Sequence, residues 1–426
     1  MSGRRIAICV AVVAATATGC GQATVPGSTT GGSPSVVSSA RSSASVPSVP
    51  SSSASSPPAS YDGPMLPAGQ VTTADRVPWA KVGQGWYLTS IDQGTKGDYG
   101  SMNDTAELLD LVDPLGGRYQ LLKVPVGKDE AGRFVLEQWS PDSRTALLLM
   151  NERTSRQQAV EVDLTTGART SVAVPLRFSD VRLDPDGSGV VAIALSAGGH
   201  GTDVGHLDRI AWDGTDTRLA GRAGLGVLTS PDGSRLVVGA GNFADRTMQV
   251  VSASDGAIQQ TLTTPFPCVP QRWWNATTLL AQCYGKHLAY VLYLVPLGGG
   301  APTPLSLPHG KKSRDLGDFD ARQIDSGLYL QSAGPCGYFF VAHQLPDGRA
   351  VPVSVPHAVG NVWLIGGSGS DLVLQMSMSC DGDSSRSALL RFDPVTRAER
   401  VLSLLPRTEA FADILTYGEP RSTNAF

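Results

Sequence analysis

The chain has 426 residues, a formal net charge of -4 and only 17% charged residues. Its 48 Gly and 29 Pro make it rich in turn-forming residues, and beyond the N-terminus we find no apolar run long enough to cross a bilayer. The near-neutral balance excludes a broad nucleic-acid surface, which needs clustered Lys and Arg. We therefore expect no nucleic-acid partner.

The first twenty residues have the pattern of an export signal. Arg4 and Arg5 form a charged start, residues 6–17 are apolar, and the run ends in Ala-Thr-Gly-Cys with Cys20 last. This order resembles the bacterial lipobox, although Ala17 stands where that family prefers Leu. The resemblance implies a lipoprotein signal peptide over residues 1–20 and a lipidated Cys20 that holds the protein on the extracytoplasmic face of the cell membrane. An ordinary secretory signal with an incidental cysteine is the alternative.

The next segment has the composition of a flexible linker. Between Gly21 and Ser60 there are 15 Ser, 6 Pro and one charged residue, Arg41. Such a stretch buries too little apolar surface to offset the entropy lost on ordering. We therefore predict a disordered Ser/Pro-rich tether over residues 21–75.

Arg outnumbers Lys 27 to 7 in the whole chain, a codon bias typical of high-GC bacteria such as actinobacteria.

The rest of the chain contains a repeated unit. Three segments, beginning at Trp139, Leu183 and Thr229, share a strand, a turn around Pro-Asp and a second apolar strand. Pro presets φ for the turn, Asp accepts hydrogen bonds from its backbone, and Gly accepts positive φ. Second strands are predicted to begin near Trp86, Thr145, Gly189, Arg235, Thr277, Gly327 and Asp371.

These starts are 42 to 59 residues apart. Seven units of four short strands at this spacing predict an all-β chain folded as a β-propeller. We assign residues 76–417 to the propeller and residues 418–426 to a C-terminal tail, with six or eight blades as alternatives. A strand-like stretch over residues 411–417 follows the seventh unit. We expect it to pair with the first blade, because an open ring would leave sheet edges exposed.

The repeated turn resembles the TolB-type and WD40-like (PD40) propeller repeat. The resemblance covers residues 78–417, but the motif is clear in three of the seven units. The chain departs from TolB itself, since it has no N-terminal α/β domain and seven predicted blades rather than six. The resemblance therefore implies the fold and says little about partners.

Four cysteines remain once Cys9 and Cys20 are set aside with the signal. An even number in an exported domain predicts two disulfides. Cys268 and Cys283 flank one predicted hairpin, while Cys336 and Cys380 follow the second strands of neighbouring blades. We predict those two pairs among the three possible connectivities, with unpaired buried thiols as the alternative.

A propeller has two faces. The loops from the second to the third strand and from the fourth strand to the next blade share one face, which we call the long-loop face. The loops there are the longest and most polar, and functional residues concentrate in such loops. The opposite, tight-turn face carries only short turns.

Two clusters on the long-loop face offer a possible ligand surface. One consists of His200, Asp203 and His206 in a Gly-rich segment, and the other of Asp381 and Asp383 beside Cys380. The first has ligand types that suit zinc, and the second carries carboxylates that suit calcium. Both clusters lack further ligands. We therefore interpret the first as a glycine-rich loop and the second as a solvated turn, and we predict neither a metal nor a cofactor.

No catalytic residue is predicted from a motif. The segment around Ser368 lacks the last Gly of a nucleophile elbow, and neither a P-loop nor a GxGxxG motif is present. Peptidases that join a propeller to an α/β-hydrolase domain need about 250 further residues beyond those available after the propeller.

Two function classes remain. The main prediction is a non-enzymatic, membrane-anchored lipoprotein whose propeller binds a protein or a cell-envelope glycan. The alternative is a propeller enzyme, a lyase or hydrolase of an extracellular or cell-wall polymer, with His200, Asp203, His206 and Arg209 as candidates and His206 as the base. Three or more ionisable groups converging near the channel would favour the enzyme, and a flat apolar patch would favour a protein partner.

Overall fold

The computed structural model describes most of the chain after residue 62, in fourteen ranges: 63–96, 102–127, 131–152, 154–175, 178–194, 205–219, 223–224, 226–239, 245–285, 290–307, 316–334, 338–358, 360–377 and 387–419. The predicted signal peptide and most of the tether lie outside these residues. Single sites that also lie outside them are Cys20, His200, Asp203, Cys336, Cys380, Asp381 and Asp383.

In the described residues the strands form six sheets, which we divide into seven blades numbered 1 to 7, because one eight-stranded sheet comprises two blades. Blade 1 contains β1 (Val71–Thr73), β2 (Tyr87–Lys96), β3 (Met102–Val112) and β4 (Arg118–Pro125). Blade 2 contains β5 (Phe134–Trp139), β6 (Thr145–Met150), β7 (Gln158–Asp163) and β8 (Arg169–Ala173). Blade 3 contains β9 (Phe178–Leu183), β10 (Gly189–Ala194), β11 (His206–Ala211) and β12 (Asp216–Arg218). Blade 4 contains β13 (Val227–Thr229), β14 (Arg235–Val238), β15 (Thr247–Ser252) and β16 (Ile258–Thr263).

The last three blades complete the set. Blade 5 contains β17 (Cys268–Asn275), β18 (Thr278–Tyr284), β19 (Tyr290–Pro296) and β20 (Thr303–Pro304). Blade 6 contains β21 (Gly317–Ile324), β22 (Gly327–Ala333), β23 (Phe339–Gln344) and β24 (Ala350–Pro352). Blade 7 contains β25 (Asn361–Ser368), β26 (Asp371–Ser377), β27 (Ala388–Phe392) and β28 (Glu399–Leu404), and β29 (Glu409–Thr416) follows it. Two single-turn 3-10 helices, Ala74–Arg76 and Trp79–Lys81, lie between β1 and β2.

The ring is closed by the last strand. β29 pairs antiparallel with β2, from Tyr87 opposite Thr416 to Gln93 opposite Glu409. It therefore supplies the innermost strand of blade 1, and it also contacts the inner strands of blades 2 and 7. The predicted β-propeller with about seven four-stranded blades is confirmed.

The second strands begin within one residue of their predicted positions, from Tyr87 in blade 1 to Asp371 in blade 7. The turns before them have the expected chemistry. The Asp186 carboxylate accepts a hydrogen bond from the N–H of Ser188 at 2.8 Å. The Asp232 carboxylate accepts one from the N–H of Ser234 at 3.1 Å, and the Ser230 hydroxyl is the largest cause that lowers the pKa of Asp232 to about 2.

Apolar side chains are buried mainly between neighbouring blades. Trp86, Tyr119 and Phe134 fill the interface of blades 1 and 2, and Tyr87 and Phe411 lie at the interface of blades 1 and 7. Because side chains alternate across a strand, each middle strand contributes to both of its neighbouring interfaces. This explains why the second strands read as nearly continuous apolar runs.

Polar side chains of inner strands connect one blade to the next. The Asp413 carboxylate of blade 1 accepts a hydrogen bond from the N–H of Leu136 in blade 2 at 3.2 Å. The Gln138 amide oxygen of blade 2 accepts one from the N–H of Leu183 in blade 3 at 2.9 Å. Such bonds satisfy backbone donors that the inner edge of each sheet would otherwise leave without a partner.

Both ends of the propeller extend beyond their predicted boundaries. Residues 63–75, which the composition assigned to the tether, include β1, which pairs parallel with β4. The N–H of Leu66 donates to Asp113 and to Tyr119, both at 3.1 Å, and Leu66 packs on the apolar cluster between blades 1 and 2. At the other end, Glu419 forms an ion pair with Arg322. These contacts are between residues far apart in the sequence, so composition does not show them.

The Sγ atoms of Cys268 and Cys283 lie 1.99 Å apart, at bonding distance. The two residues are opposite each other in the hairpin of β17 and β18. The described residues contain no helix long and apolar enough to cross a membrane.

Candidate functional site

Of the five ligand-face candidates, His206 is the one within the described residues, at the start of β11 in blade 3. His206 is the first residue of that strand and lies opposite Ala194 of β10. Asp208 follows two residues later, so both side chains point to the same face of the sheet. Asp208 also lies opposite Arg218 of the edge strand β12. Two neighbouring strands therefore bring His206, Asp208 and Arg218 together.

The three side chains form a short polar chain from the interior to solvent. The His206 Nε2 atom lies 3.1 Å from Asp208 Oδ2 and 2.7 Å from Arg218 Nη2. The Asp208 side chain is 4% exposed, His206 23% and Arg218 67%. The Asp208 carboxylate is thus buried in the sheet, whereas most of the Arg218 side chain is exposed to solvent.

This geometry gives the imidazole two alternative partners. When Nε2 carries a proton, it donates to the Asp208 carboxylate. When Nε2 is unprotonated, its lone pair accepts a hydrogen bond from Arg218. A histidine that has a partner in both protonation states is suited to take up and release a proton at that nitrogen.

Arg209, which the sequence placed in the same candidate cluster, lies on the opposite face of β11. Its guanidinium pairs with the Asp184 carboxylate of blade 3 and donates to the carbonyl of Ala253 in blade 4 at 2.5 Å. Burial raises the pKa of Asp184, although the Arg209 partner opposes this. Arg209 connects blades 3 and 4 and is not part of the His206 group.

Asp208 and Arg218 were missed as functional candidates. The signal for Asp208 was present, because a carboxylate two residues after a histidine shares its side of a strand. Arg218 had no signal in the sequence, since its position depends on the register between β11 and β12. His200 and Asp203 lie outside the described residues, as do Asp381 and Asp383.

Ionisable groups also converge on the inner strands. Arg182 of β9 pairs with Glu137 of β5 at 2.8 Å and with Asp180 at 2.7 Å, and its side chain is buried. In blades 5 and 6, Arg272 lies 3.0 Å from Asp320. These pairs satisfy each other and connect neighbouring blades, so they contribute to the assembly of the ring.

Within the residues that the structure describes, no group of three or more His, Cys, Asp or Glu side chains is arranged to hold a metal ion. The His206 group has one imidazole and one carboxylate, fewer ligands than a structural zinc site needs. The His206 group instead consists of a base, the imidazole, and its hydrogen-bond partner, the Asp208 carboxylate.

Comparison with known proteins gives the fold. Neither a protein-family model nor a curated protein matches the chain. Among solved structures, a puromycin-hydrolysing peptidase of Mycobacterium tuberculosis matches 81% of the chain at 18% identity and a TM-score of 0.46, over 57% of its own length. A prolyl endopeptidase matches 74% of the chain at 13% identity and a TM-score of 0.50, over 49% of its own length.

A third structure, oligopeptidase B of Leishmania major, matches 74% of the chain at 9% identity and a TM-score of 0.47, over 48% of its own length. The chain therefore spans about half the length of these peptidases. At such identities the likeness concerns the fold, which is that of their β-propeller domains. The TolB-type and WD40-like repeats that the sequence resembles also form β-propellers, so both resemblances indicate the same architecture.

Our main functional prediction, a membrane-anchored binding or scaffold module for a protein or cell-envelope ligand, is wrong in the light of these comparisons. The propeller that the chain resembles at a TM-score of 0.50 belongs to a prolyl endopeptidase.

Proposed function

We propose that the chain is a propeller hydrolase that acts on peptide bonds outside the cytoplasm, with His206 as its general base. The observation that carries the proposal is the position of His206 between the buried carboxylate of Asp208 and the exposed guanidinium of Arg218. The fold supports it, because a prolyl endopeptidase contains a similar propeller. In hydrolases with a histidine base, a carboxylate holds the ring nitrogen opposite the base, whereas here the Asp208 carboxylate lies beside Nε2 itself.

In the proposed reaction, a water molecule attacks the carbonyl carbon of the substrate while its proton passes to Nε2 of His206. The Asp208 carboxylate accepts a hydrogen bond from the imidazolium that forms. Arg218, released from Nε2, donates to the oxyanion on the substrate. When the carbon–nitrogen bond breaks, the leaving amine takes the proton from Nε2, which restores the neutral imidazole.

The experiment measures hydrolysis by the purified protein of a mixed peptide panel that includes proline-containing peptides, with mass spectrometry as the readout. General base catalysis contributes about 10²- to 10⁴-fold. We therefore expect His206→Gln to lower kcat by at least about 100-fold. Asp208→Asn is expected to lower it by a similar order, because the imidazolium loses its acceptor. His357→Gln, a change of an exposed histidine in another part of the propeller, is the matched control and is expected to have no effect.

The pH profile separates a base from a structural role. A rate that needs an unprotonated base rises with pH and then becomes constant. Absence of peptide hydrolysis, or equal rates for the wild type and His206→Gln, would overturn the proposal. Since circular dichroism reports the fold independently, a variant that is folded and inactive still counts as support.

We also propose that the chain is exported and held at the membrane through Cys20, as the lipobox-like start suggests. The linker after Cys20 supports this, since a flexible Ser/Pro-rich segment is suited to hold a folded unit away from a surface. Metabolic labelling with a palmitate analogue tests the proposal. We expect label on the wild type and none on Cys20→Ser, with Cys9→Ser as the control. An unlabelled wild type with an N-terminus beyond Cys20 would contradict it.

A further inference from the structure

The three residues after the last strand make contacts on distant parts of the ring. β29 ends at Thr416, and Tyr417, Gly418 and Glu419 form a turn in which the N–H of Glu419 donates to the Thr416 carbonyl at 3.1 Å. Gly418 has φ of +74°, a conformation that favours glycine. The turn sends the side chains of Tyr417 and Glu419 to different blades, on the tight-turn face.

Tyr417 reaches blade 2. Its hydroxyl donates a hydrogen bond to the carbonyl of Pro141, in the turn between β5 and β6, at 2.6 Å. Its ring packs edge-on against the Trp139 ring, with the ring centroids 5.5 Å apart. Trp139 is fully buried, so the tyrosine covers the end of the apolar interface between blades 1 and 2.

Glu419 reaches blade 6. Its Oε1 atom lies 2.7 Å from Nη1 of Arg322 on the inner strand β21, and its Oε2 atom accepts from the Thr416 hydroxyl at 2.8 Å. The same arginine donates to the carbonyl of Ile365 on β25 of blade 7 at 3.0 Å. Arg322 also lies 3.4 Å from Asp320, the partner of Arg272 in blade 5.

The contacts therefore run over five blades. Blades 2, 1, 7, 6 and 5 are consecutive in the closed ring. The turn connects blade 2 directly to blade 6. In a ring of seven blades, blades 2 and 6 lie three steps apart, nearly opposite each other. A connection between them must cross the end of the central channel.

We infer that the turn of Tyr417, Gly418 and Glu419, with its partner Arg322, is a clasp that locks the closed ring and obstructs the central channel at the tight-turn face. The strand pairing of β29 with β2 joins the two ends of the propeller by backbone hydrogen bonds at one seam. The clasp adds side-chain contacts from the same end of the chain to blades on both sides of that seam. Loosening the clasp would therefore weaken the seam before it weakened the opposite side of the ring.

The electrostatics are consistent with a permanent clasp. Burial raises the pKa of Glu419, but the charges of Arg322 and Arg272 and the Thr416 hydroxyl outweigh it and lower the pKa to about 2. The carboxylate is therefore ionised at all pH values near neutrality. The ion pair is partly shielded from water, since the side chains of Arg322 and Glu419 are 11% and 35% exposed.

Hydrogen exchange followed by mass spectrometry tests the clasp, because it reports local opening segment by segment. We expect Glu419→Gln to accelerate exchange in β29 and β2 by about tenfold or more, with blades 3 and 4 unchanged. Tyr417→Phe removes only the hydroxyl bonded to Pro141, and we expect faster exchange in the turn between β5 and β6. The matched control is Asp347→Asn, which removes a 2.7 Å pair with Arg349 that is exposed and confined to one turn.

Two results would overturn the inference. One is unchanged exchange at the expected place, which is β29 and β2 for Glu419→Gln and the turn between β5 and β6 for Tyr417→Phe. The other is acceleration of equal size in all seven blades, which indicates general destabilisation rather than release of a local contact. Tyr417→Phe decides the matter if Glu419→Gln does not fold, since the loss of one hydroxyl leaves the aromatic packing in place.

Discussion

A buried carboxylate of blade 1, Asp110, shows how a single residue sets the response of the protein's stability to pH. Asp110 is fully buried and pairs with Arg118 at 2.7 Å, and Arg118 also reaches Glu409 of β29 at 3.1 Å. Burial, the largest cause, raises the pKa of Asp110 from 3.8 to about 6, while the Arg118 charge opposes it and the Glu409 charge adds to it. The single arginine is shared by two carboxylates.

A raised pKa in the folded state means that the folded protein binds a proton more tightly at Asp110 than the unfolded chain does. The stability from this difference is present below pH 4 and is lost as the pH rises through about 6. For Asp110→Asn, which does not titrate, the free energy of unfolding relative to the wild type should rise by about 2–3 kcal/mol between pH 4 and pH 7. Urea unfolding at several pH values measures it.

The control for this prediction is Asp347→Asn. Its carboxylate is exposed, and hydrogen bonds from Arg349 lower its pKa, so it should show no such change between pH 5 and pH 7. A constant difference between Asp110→Asn and the wild type across the range would show that Asp110 is charged in the folded protein throughout.

At the scale of elements, the hairpin of β17 and β18 combines backbone pairing with a close cysteine pair. Cys268 and Cys283 are opposite residues of adjacent strands, separated by 15 positions in the sequence. In the chain-entropy account, closing a loop of that length stabilises the folded state by about 3 kcal/mol, because it restricts the unfolded chain. The hairpin lies in blade 5, where β19 also meets β21 of blade 6.

We expect the double variant Cys268→Ala and Cys283→Ala to lose about 3 kcal/mol of unfolding free energy. If reduction under native conditions opens the Cys268–Cys283 bond, the wild type should lose a similar amount of unfolding free energy. Peptide mapping after alkylation of the denatured, unreduced protein should recover the two cysteine peptides joined. Recovery of both as separately alkylated peptides would contradict the bridge.

The junction of blades 5 and 6 depends on a glycine. Gly317 begins β21 with φ of +101°, and a Cβ atom there would lie 2.1 Å from the carbonyl oxygen of Tyr290. Backbone atoms that are held in a sheet do not move away easily. The close approach of the two strands therefore requires a residue without a side chain.

Gly317→Ala is expected to destabilise the protein by about 3 kcal/mol or more, through both strain and the clash. Gly299→Ala is the matched control, since Gly299 has φ of +85° and open space where its Cβ would lie. The control carries only the conformational cost of about 1–2 kcal/mol. Thermal unfolding of both variants measures the difference, and equal losses would show that the strands separate freely at this point.

At the scale of the whole molecule, side-chain hydrogen bonds couple neighbouring blades, and Gln375 of blade 7 donates to the Phe411 carbonyl of β29 to complete the ring. Asp413 illustrates this, since its carboxylate accepts from Leu136 of blade 2 and from the Ser90 hydroxyl, both at 3.2 Å. The residue belongs to the last strand and holds the first two blades together. A closed ring of this kind should unfold as one cooperative unit.

Asp413→Ala is expected to lower the free energy of unfolding by about 2–4 kcal/mol, because it leaves a buried N–H without a partner at the closure. The transition should stay single, with an unchanged dependence on urea concentration. The exposed turn residue Asp255→Ala is the control, with an expected loss below about 1 kcal/mol. Two separate transitions in the wild type would contradict the coupling of the blades.

Sequence alone determined the architecture of this protein. The Pro-Asp turns and the second apolar strands follow local rules, so they placed strand starts such as Thr145, Gly189 and Asp371 correctly. The strand that became β29 was also predictable, because a propeller whose ends do not pair leaves exposed sheet edges. The cysteine pair of blade 5 was predicted from its position across one hairpin.

Only the tertiary structure decided which side chains meet. Arg209 follows Asp208 directly in the sequence, yet the alternation of a strand places the two side chains on opposite faces of β11. Arg218 reaches His206 through the register of an edge strand, and Glu419 reaches Arg322 across the ring, 97 positions away in the sequence. Local chemistry fixes turns and strands, whereas the candidate site and the clasp depend on contacts that exist only after the ring closes.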